Sequence, residues 1–187
     1  LNDRVKVFAE GKFTPSPSAF DPEKLSWLNH EHMKTRSSED LAELVVPCLG
    51  YQDLPNPGPQ KLLARAEMLR ERAATLKDLA AAMAFMLKTA PDLEYDPKAV
   101  EKVVSPESKI HIQALQSRFA GLSDFSKDSL HAALHTYVEE NGLKFKEVGP
   151  PLRLALVGSL SGPDLSQIMA ILGKAETEAR LARFQSL

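Results

Sequence analysis

Apolar side chains recur every three or four positions through residues 60–88, and this period constrains the fold more than any other feature of the sequence. The apolar positions are Leu62, Leu63, Ala66, Leu69, Ala73, Leu76, Leu79, Met83 and Met86. Such spacing is typical of α-helices that bury one face, and the frequent alanines favour the helical state. Thr75 followed by Asp78 indicates a second helix start, so a break is predicted near residues 73–75.

The rest of the chain repeats the helical pattern in shorter segments, so the predicted fold class is all-α. Asp21 before Pro22 predicts one helix start, and Ser37 and Ser38 before two acids predict another. Pro47 is expected to stop or kink that second helix. Further helices are predicted at residues 97–104, 108–120, 126–141, 152–157, 165–172 and 177–185.

Three segments are expected to depart from this pattern. The two prolines within residues 13–18 exclude a regular helix there, and residues 51–59 are predicted to form a loop. Residues 143–151 alternate in a way compatible with a strand, although one short strand has no visible partner.

The apolar faces of the first two helices are expected to carry Leu25, Leu28 and Met33, with Trp27 beside them, and Leu41, Leu44 and Val45.

Composition excludes several classes of protein. The 187 residues, 43% hydrophobic and 26% charged, suffice for one ordinary domain or two small ones and exclude wholesale disorder. The net charge of −2 means that any RNA-binding surface must be a local patch. A single cysteine, Cys48, excludes a disulfide scaffold and fits a reducing compartment. No apolar run approaches the ~20 residues of a membrane span, and a start at Leu1 predicts a piece of a longer protein.

A search for chemistry yields no predicted catalytic residue and no predicted metal site. Glycine-rich phosphate loops, nucleophile elbows and zinc-protease helices are missing from the sequence. His131 and His135 have a spacing that can chelate, but no third ligand lies nearby in the sequence.

Two local features stand out, each with two interpretations. The basic positions Arg65, Arg70, Arg72 and Lys77 are either a solvated helix face or an RNA contact, and the turn at residues 161–164 is either an ordinary corner or a nucleotide-binding helix start.

Two segments resemble a known family. Residues 143–158, LKFKEVGPPLRLALVG, with ILGK at 171–174, resemble the C-terminal signature of bacterial glutamyl-tRNA synthetases. Residues 20–29, FDPEKLSWLN, resemble the segment that precedes the anticodon-binding region in the same family. The resemblance implies a stem-contact tail at residues 1–36 and two helical anticodon-binding subdomains at 37–92 and 93–187.

The resemblance also implies a set of RNA-binding residues. The discriminating arginine of the family matches Arg72, the arginine of its Pro-Leu-Arg motif matches Arg153, and the turn and helix start that contact bases match Gly162 and Leu165. A glycine at 162 leaves only backbone groups for such a contact. The predicted RNA-binding residues are Arg70, Arg72, Lys144, Arg153, Gly162 and Leu165.

The expected partner is the anticodon loop of tRNA(Glu), bound by the C-terminal part of a class I glutamate–tRNA ligase. ATP and Mg²⁺ would be used by the catalytic half, whose HIGH-like and KMSKS-like motifs are missing here, so this chain alone is expected to be inactive and to hold no cofactor. We expect a cytoplasmic monomer that binds neither DNA nor membranes. The alternative is a helical protein–protein interaction module without RNA binding, which the near-neutral charge favours and the Pro-Pro-Leu-Arg signature opposes.

Overall fold

A computed structural model describes residues 21–187, and all regular structure in that range is helical. The first helices are α1 (Pro22–Thr35), α2 (Ser38–Leu44), α3 (Val46–Gly50), α4 (Pro59–Leu69) and α5 (Leu76–Leu87). The later helices are α6 (Pro97–Val103), α7 (Pro106–Ala120), α8 (Lys127–Glu140), α9 (Phe145–Val157), α10 (Leu165–Leu172) and α11 (Lys174–Phe184). The all-α prediction is confirmed, whereas the prediction for residues 13–18 lies outside the described range.

Polar caps begin the helices where the sequence predicts them. The Asp21 carboxylate accepts from the backbone N–H groups of Glu23 and Lys24, which fixes the first turn of α1. Thr75 and Asp78 cap each other's backbone N–H groups at the start of α5. This capping box confirms the predicted break within the long apolar stretch, because a short 3₁₀ turn, Arg70–Arg72, separates α4 from α5.

Two predicted helix starts are wrong, and the smaller error is the last helix, which begins at Lys174 instead of residue 177. The helix expected at residues 152–157 begins earlier, so α9 runs through Pro150 and Pro151 and leaves no strand between residues 143 and 151. The two prolines lack the N–H groups that would bond to the carbonyls of Lys146 and Glu147. Both of those residues are exposed, so water can satisfy the carbonyls and the helix continues.

Two apolar cores lie along the chain, one on each side of a connector at residues 88–96. In the first, α2 packs on α4, and the buried members come from α1 to α5. In the second, α11 packs on α7, and the buried members come from α6 to α11. The proposed division at residues 92 and 93 stays a prediction. Of the expected apolar faces, Met33, Leu41 and Val45 are buried, whereas Leu25, Trp27, Leu28 and Leu44 are exposed.

Two arginines of α11 hold the connector by its backbone. The Arg180 side chain is fully buried, and its Nη2 atom donates to the Lys88 carbonyl at 2.7 Å while Nη1 donates to the Leu156 carbonyl. Its charge is balanced by Glu176, with 2.7 Å between Nε and Oε1. Arg183 donates to the carbonyl of Leu93 at 2.6 Å and also to that of Ala90. The last described helix therefore fixes the path of the chain between the two cores.

Candidate nucleic-acid interface

Arg72 lies on the 3₁₀ turn between α4 and α5. Its neighbour Ala73 is fully buried and anchors the turn in the first core, while the Arg72 side chain is exposed. Within residues 21–187, no hydrogen bond or ion pair engages the Arg72 guanidinium. An arginine carries five N–H donors and no acceptor. The turn therefore presents a set of donors to the solvent.

Helix α1 supports this turn through two contacts. His30 Nδ1 lies 2.8 Å from the Ala73 carbonyl oxygen, and because a carbonyl only accepts, Nδ1 carries the proton in this bond. Arg70 Nη1 donates to the Arg36 carbonyl at 3.3 Å. The position of Arg72 thus depends on a helix that precedes it by about 40 residues.

Arg153 occupies the last part of α9, and a hydrogen bond holds its side chain. Its Nη1 atom donates to the Pro163 carbonyl at 2.6 Å. A Cβ atom at position 162 would lie 3.0 Å from the same Nη1, so Gly162 leaves the guanidinium its space. Burial lowers the pKa of Arg153, the charge of Arg72 lowers it further, and the Asp164 carboxylate raises it. The Arg153 guanidinium therefore lies against the turn at residues 161–164.

A cleft of about 400 Å³ lies between the two cores and brings two predicted residues, Arg72 and Gly162, together. Pro163 lines it beside Gly162, and the Arg153 side chain reaches this lining through its bond to the Pro163 carbonyl. Lys88 and Glu94 also face the cleft and form an ion pair of 2.9 Å. The sequence reasoning missed this pair, although a lysine at a helix end beside a Pro-containing acidic connector is a signal that could have located it.

Arg70, Lys144 and Leu165 lie away from this cleft. Arg70 is half-buried and paired with Glu67 at 3.5 Å, in addition to its bond to Arg36. Lys144 is exposed at the start of α9, where its backbone N–H donates to Glu147 Oε2 at 2.6 Å. The Leu165 side chain is 3% exposed and belongs to the second core. Its predicted contact with a base can therefore hold only for backbone groups.

The helix at this site starts where the sequence predicts it. The first helical residue of α10 is Leu165, and Gly162 and Pro163 precede the helix. Asp164 is the cap, and its carboxylate accepts from the Gln167 N–H at 2.9 Å. An anionic cap already occupies part of this helix start, so the hydrogen-bond donors that remain here come mainly from the side chains of Arg153 and Arg72.

The described residues offer no metal centre and no membrane span. Between residues 21 and 187, no group of three His, Cys, Asp or Glu side chains could hold a metal ion. His131 and His135 stack with their ring centroids 6.2 Å apart, and His135 lies 3.3 Å from Glu139. Among the same residues, every helix is too short or too polar to cross a bilayer.

Comparison with known proteins points to one group. The family model described as an anticodon binding domain matches residues 40–185. The glutamate–tRNA ligase of Oleidesulfovibrio alaskensis is 42% identical over the whole chain, and that of Nitratidesulfovibrio vulgaris is 38% identical. The chain spans 40% of the length of these relatives. A crystal structure of a glutamate tRNA ligase from Elizabethkingia meningosepticum, in complex with its amino acid, is similar with a TM-score of 0.82 and 29% identity over 94% of this chain and 34% of that one. These matches confirm the resemblance carried by residues 143–158.

Proposed function

The chain belongs to the anticodon-binding domain family, and from that membership we propose that it reads the anticodon loop of tRNA(Glu) within a glutamate–tRNA ligase. The observation that carries the proposal is the placement of two arginines from different cores around one cleft, since Arg72 lines the cleft and Arg153 donates to the carbonyl of Pro163 in its wall. Like charges repel, so the arrangement favours an anionic ligand between them. An RNA loop supplies phosphates and unstacked bases with acceptor atoms.

Arg72 is proposed to distinguish the glutamate anticodon from the glutamine anticodon at its third base, which is C in one and G in the other. Cytosine presents the acceptors O2 and N3 on its Watson–Crick edge, which match the N–H donors of arginine. Guanine presents N1–H and N2–H donors there, and they would remain unpaired beside a positive charge. Unpaired buried polar groups cost about 1–3 kcal/mol each, which corresponds to tenfold discrimination or more.

The test compares binding of the 187-residue chain to two tRNAs that differ only in that base. The substitution Arg72→Gln supplies both a donor and an acceptor and is expected to abolish the preference for C. Lys61→Gln, on the exposed side of α4, is the matched control and should leave the preference intact. An unchanged preference in Arg72→Gln would show that another residue discriminates.

A protein-interaction module is the second candidate, and one observation favours it. A groove of about 790 Å³ on the first core has an apolar lining that includes Met33, Leu41 and Leu44. A salt titration separates the candidates, because RNA binding releases counterions and weakens steeply as salt rises. Salt-insensitive or undetectable tRNA binding would contradict the proposed function.

ATP, Mg²⁺ and glutamate activation are proposed to belong to the remainder of such a ligase. The sequence contains no motif for binding a nucleoside triphosphate, since phosphate-binding loop motifs are missing from it. Glutamate-dependent ATP–pyrophosphate exchange by the purified chain should stay at background, and exchange above background would contradict this assignment. The ligase is proposed to act in the cytoplasm as a monomer that binds tRNA rather than DNA.

A further inference from the structure

Phe145 is an aromatic residue that is not among the predicted RNA-binding residues. It is the first residue of α9 and is 54% exposed. Exposed aromatic rings are costly to leave in water, and in proteins that bind single-stranded RNA they serve as platforms on which bases stack. Phe145 shares its helix with Arg153, two turns further on, so both belong to the same side of the molecule.

The Phe145 ring and Arg153 together line two hollows. One, of about 310 Å³, also has the rings of His131 and His135 and the carboxylate of Asp164 in its wall. The other, of about 550 Å³, contains Lys102 and Lys146 as cations and Glu107 and Glu147 as anions. Flat rings beside a guanidinium and lysines are the combination that single-stranded nucleic acid sites use.

Gly149 fixes the ring. A Cβ atom at position 149 would lie 2.5 Å from Phe145 Cε1 and 2.9 Å from Cζ, so the ring rests directly on the helix backbone one turn away. The ring therefore contacts the backbone at Gly149, while 54% of the residue stays exposed. A ring held in one orientation stacks on a base with little further loss of rotamer freedom.

We propose that Phe145 is a stacking platform for an unpaired base of the anticodon loop. The rise of α9 between Phe145 and Arg153 is about 12 Å, which is longer than a nucleobase. The base on Phe145 is therefore a different one from the base that Arg153 contacts. This inference rests on the proposed function, because it requires a single-stranded RNA loop that also reaches the hollows lined by Phe145 and Arg153.

Three substitutions in the 187-residue chain test the platform by its affinity for an anticodon stem-loop of tRNA(Glu). Phe145→Leu keeps apolar volume and removes the ring, and binding is expected to weaken about tenfold. Phe145→Tyr keeps the ring and should bind within about twofold of the unmodified chain. Gly149→Ala pushes the ring from its seat and should weaken binding, while the higher helix propensity of alanine preserves the melting temperature.

Two further measurements locate the effect. Ile110→Ala removes another exposed apolar side chain and should leave binding unchanged. Stem-loops carrying 5-iodouridine at single loop positions should crosslink to residue 145 at one position, and Phe145→Leu should lose that crosslink. Unweakened binding by Phe145→Leu would overturn this inference alone, whereas no stem-loop binding by the unmodified chain would overturn the proposed function as well.

Discussion

The helices before the connector and those after it bury different kinds of side chain. Among the described residues, the first core consists of leucine, alanine, valine and methionine, and apolar Leu44 and Tyr51 stay exposed near it. The second core buries the rings of Phe119, Tyr137 and Phe184. It also surrounds the Arg180 guanidinium completely.

The two proposed RNA-reading arginines also differ in how the structure holds them. Arg153 is half-buried and held by its own bond to Pro163. Arg72 is exposed, and only the backbone of its turn is held, through Ala73 and His30. A side chain that is already ordered loses little entropy on binding, whereas a side chain on a supported turn can adjust to its ligand. The comparison predicts that substitutions which disrupt the second core lower the stability of the protein. Substitutions which disrupt the first core are predicted to reduce the preference for one anticodon over another.

Arg180→Met should have the largest effect, because it removes a fully buried charged side chain that bonds to both sides of the connector. The substitution removes the donors to Lys88 and Leu156 and leaves Glu176 without its cation. Removing one partner of a buried ion pair costs about 3–5 kcal/mol of unfolding free energy. Urea denaturation measures the loss. Lys127→Met, at the exposed start of α8, should change the stability by no more than about 0.5 kcal/mol, and equal stabilities would refute the comparison.

Arg153→Ala should weaken tRNA binding by about 1–3 kcal/mol, since a direct contact to a base is lost. Lys127→Ala lies outside the cleft and serves as the reference in the same binding titration. If Arg153 only supports the turn at Pro163, the Arg153→Ala variant should have a lower melting temperature. Its loss of tRNA binding should then match the loss of folded protein. Equal binding losses in the two variants would count against the site.

His30→Ala should lower stability by about 1 kcal/mol, the typical contribution of one hydrogen bond, and should reduce the preference for C that depends on Arg72. His30→Asn retains a side-chain N–H donor and should restore part of the preference. His32→Ala, two residues away and exposed, is the control. A preference that is identical in all three variants would mean that α1 does not position the turn.

Lys88→Met should give the smallest effect, visible in a titration. The hydrogen bond from Lys88, and then its charge, hold the pKa of Glu94 below its ordinary value of 4.5. A lowered carboxyl pKa stabilises the folded state above that value and ceases to do so as the pH falls through the folded pKa. The Glu94 pKa, followed by NMR, should rise in Lys88→Met, and the two proteins should converge in stability at acid pH.

The sequence predicted the helices well where local chemistry decides them. Asp21, Ser37 and Thr75 cap helices as expected, because each side chain needs only its own first turn. The start of α9 was predicted wrongly, because the two prolines remove the donors for the carbonyls of Lys146 and Glu147 but do not by themselves end the helix. Here those carbonyls belong to exposed residues, and no local rule records that exposure.

Burial and the candidate site were less accessible to prediction. The helical period placed Leu28 and Leu44 on apolar faces, but a pattern does not show whether another element covers the face, and both are exposed. Arg72 and Arg153 were singled out by resemblance, whereas their placement around one cleft depends on how the two cores are oriented. Arg180 and Arg183 fix this orientation, but in the sequence they look like ordinary charged residues on a helix surface.

The bonds from α11 to the connector have a consequence for the order in which the protein is made. A chain folds from its N-terminus as the ribosome releases it, so Arg72 and Arg153 emerge before Arg180 and Arg183 do. The first core can form early, since none of its buried members comes from α11. The angle across the cleft is set only when the final described helix docks. A nascent chain stalled before residue 174 should therefore be cleaved by protease at residues 88–96, and the released chain should resist.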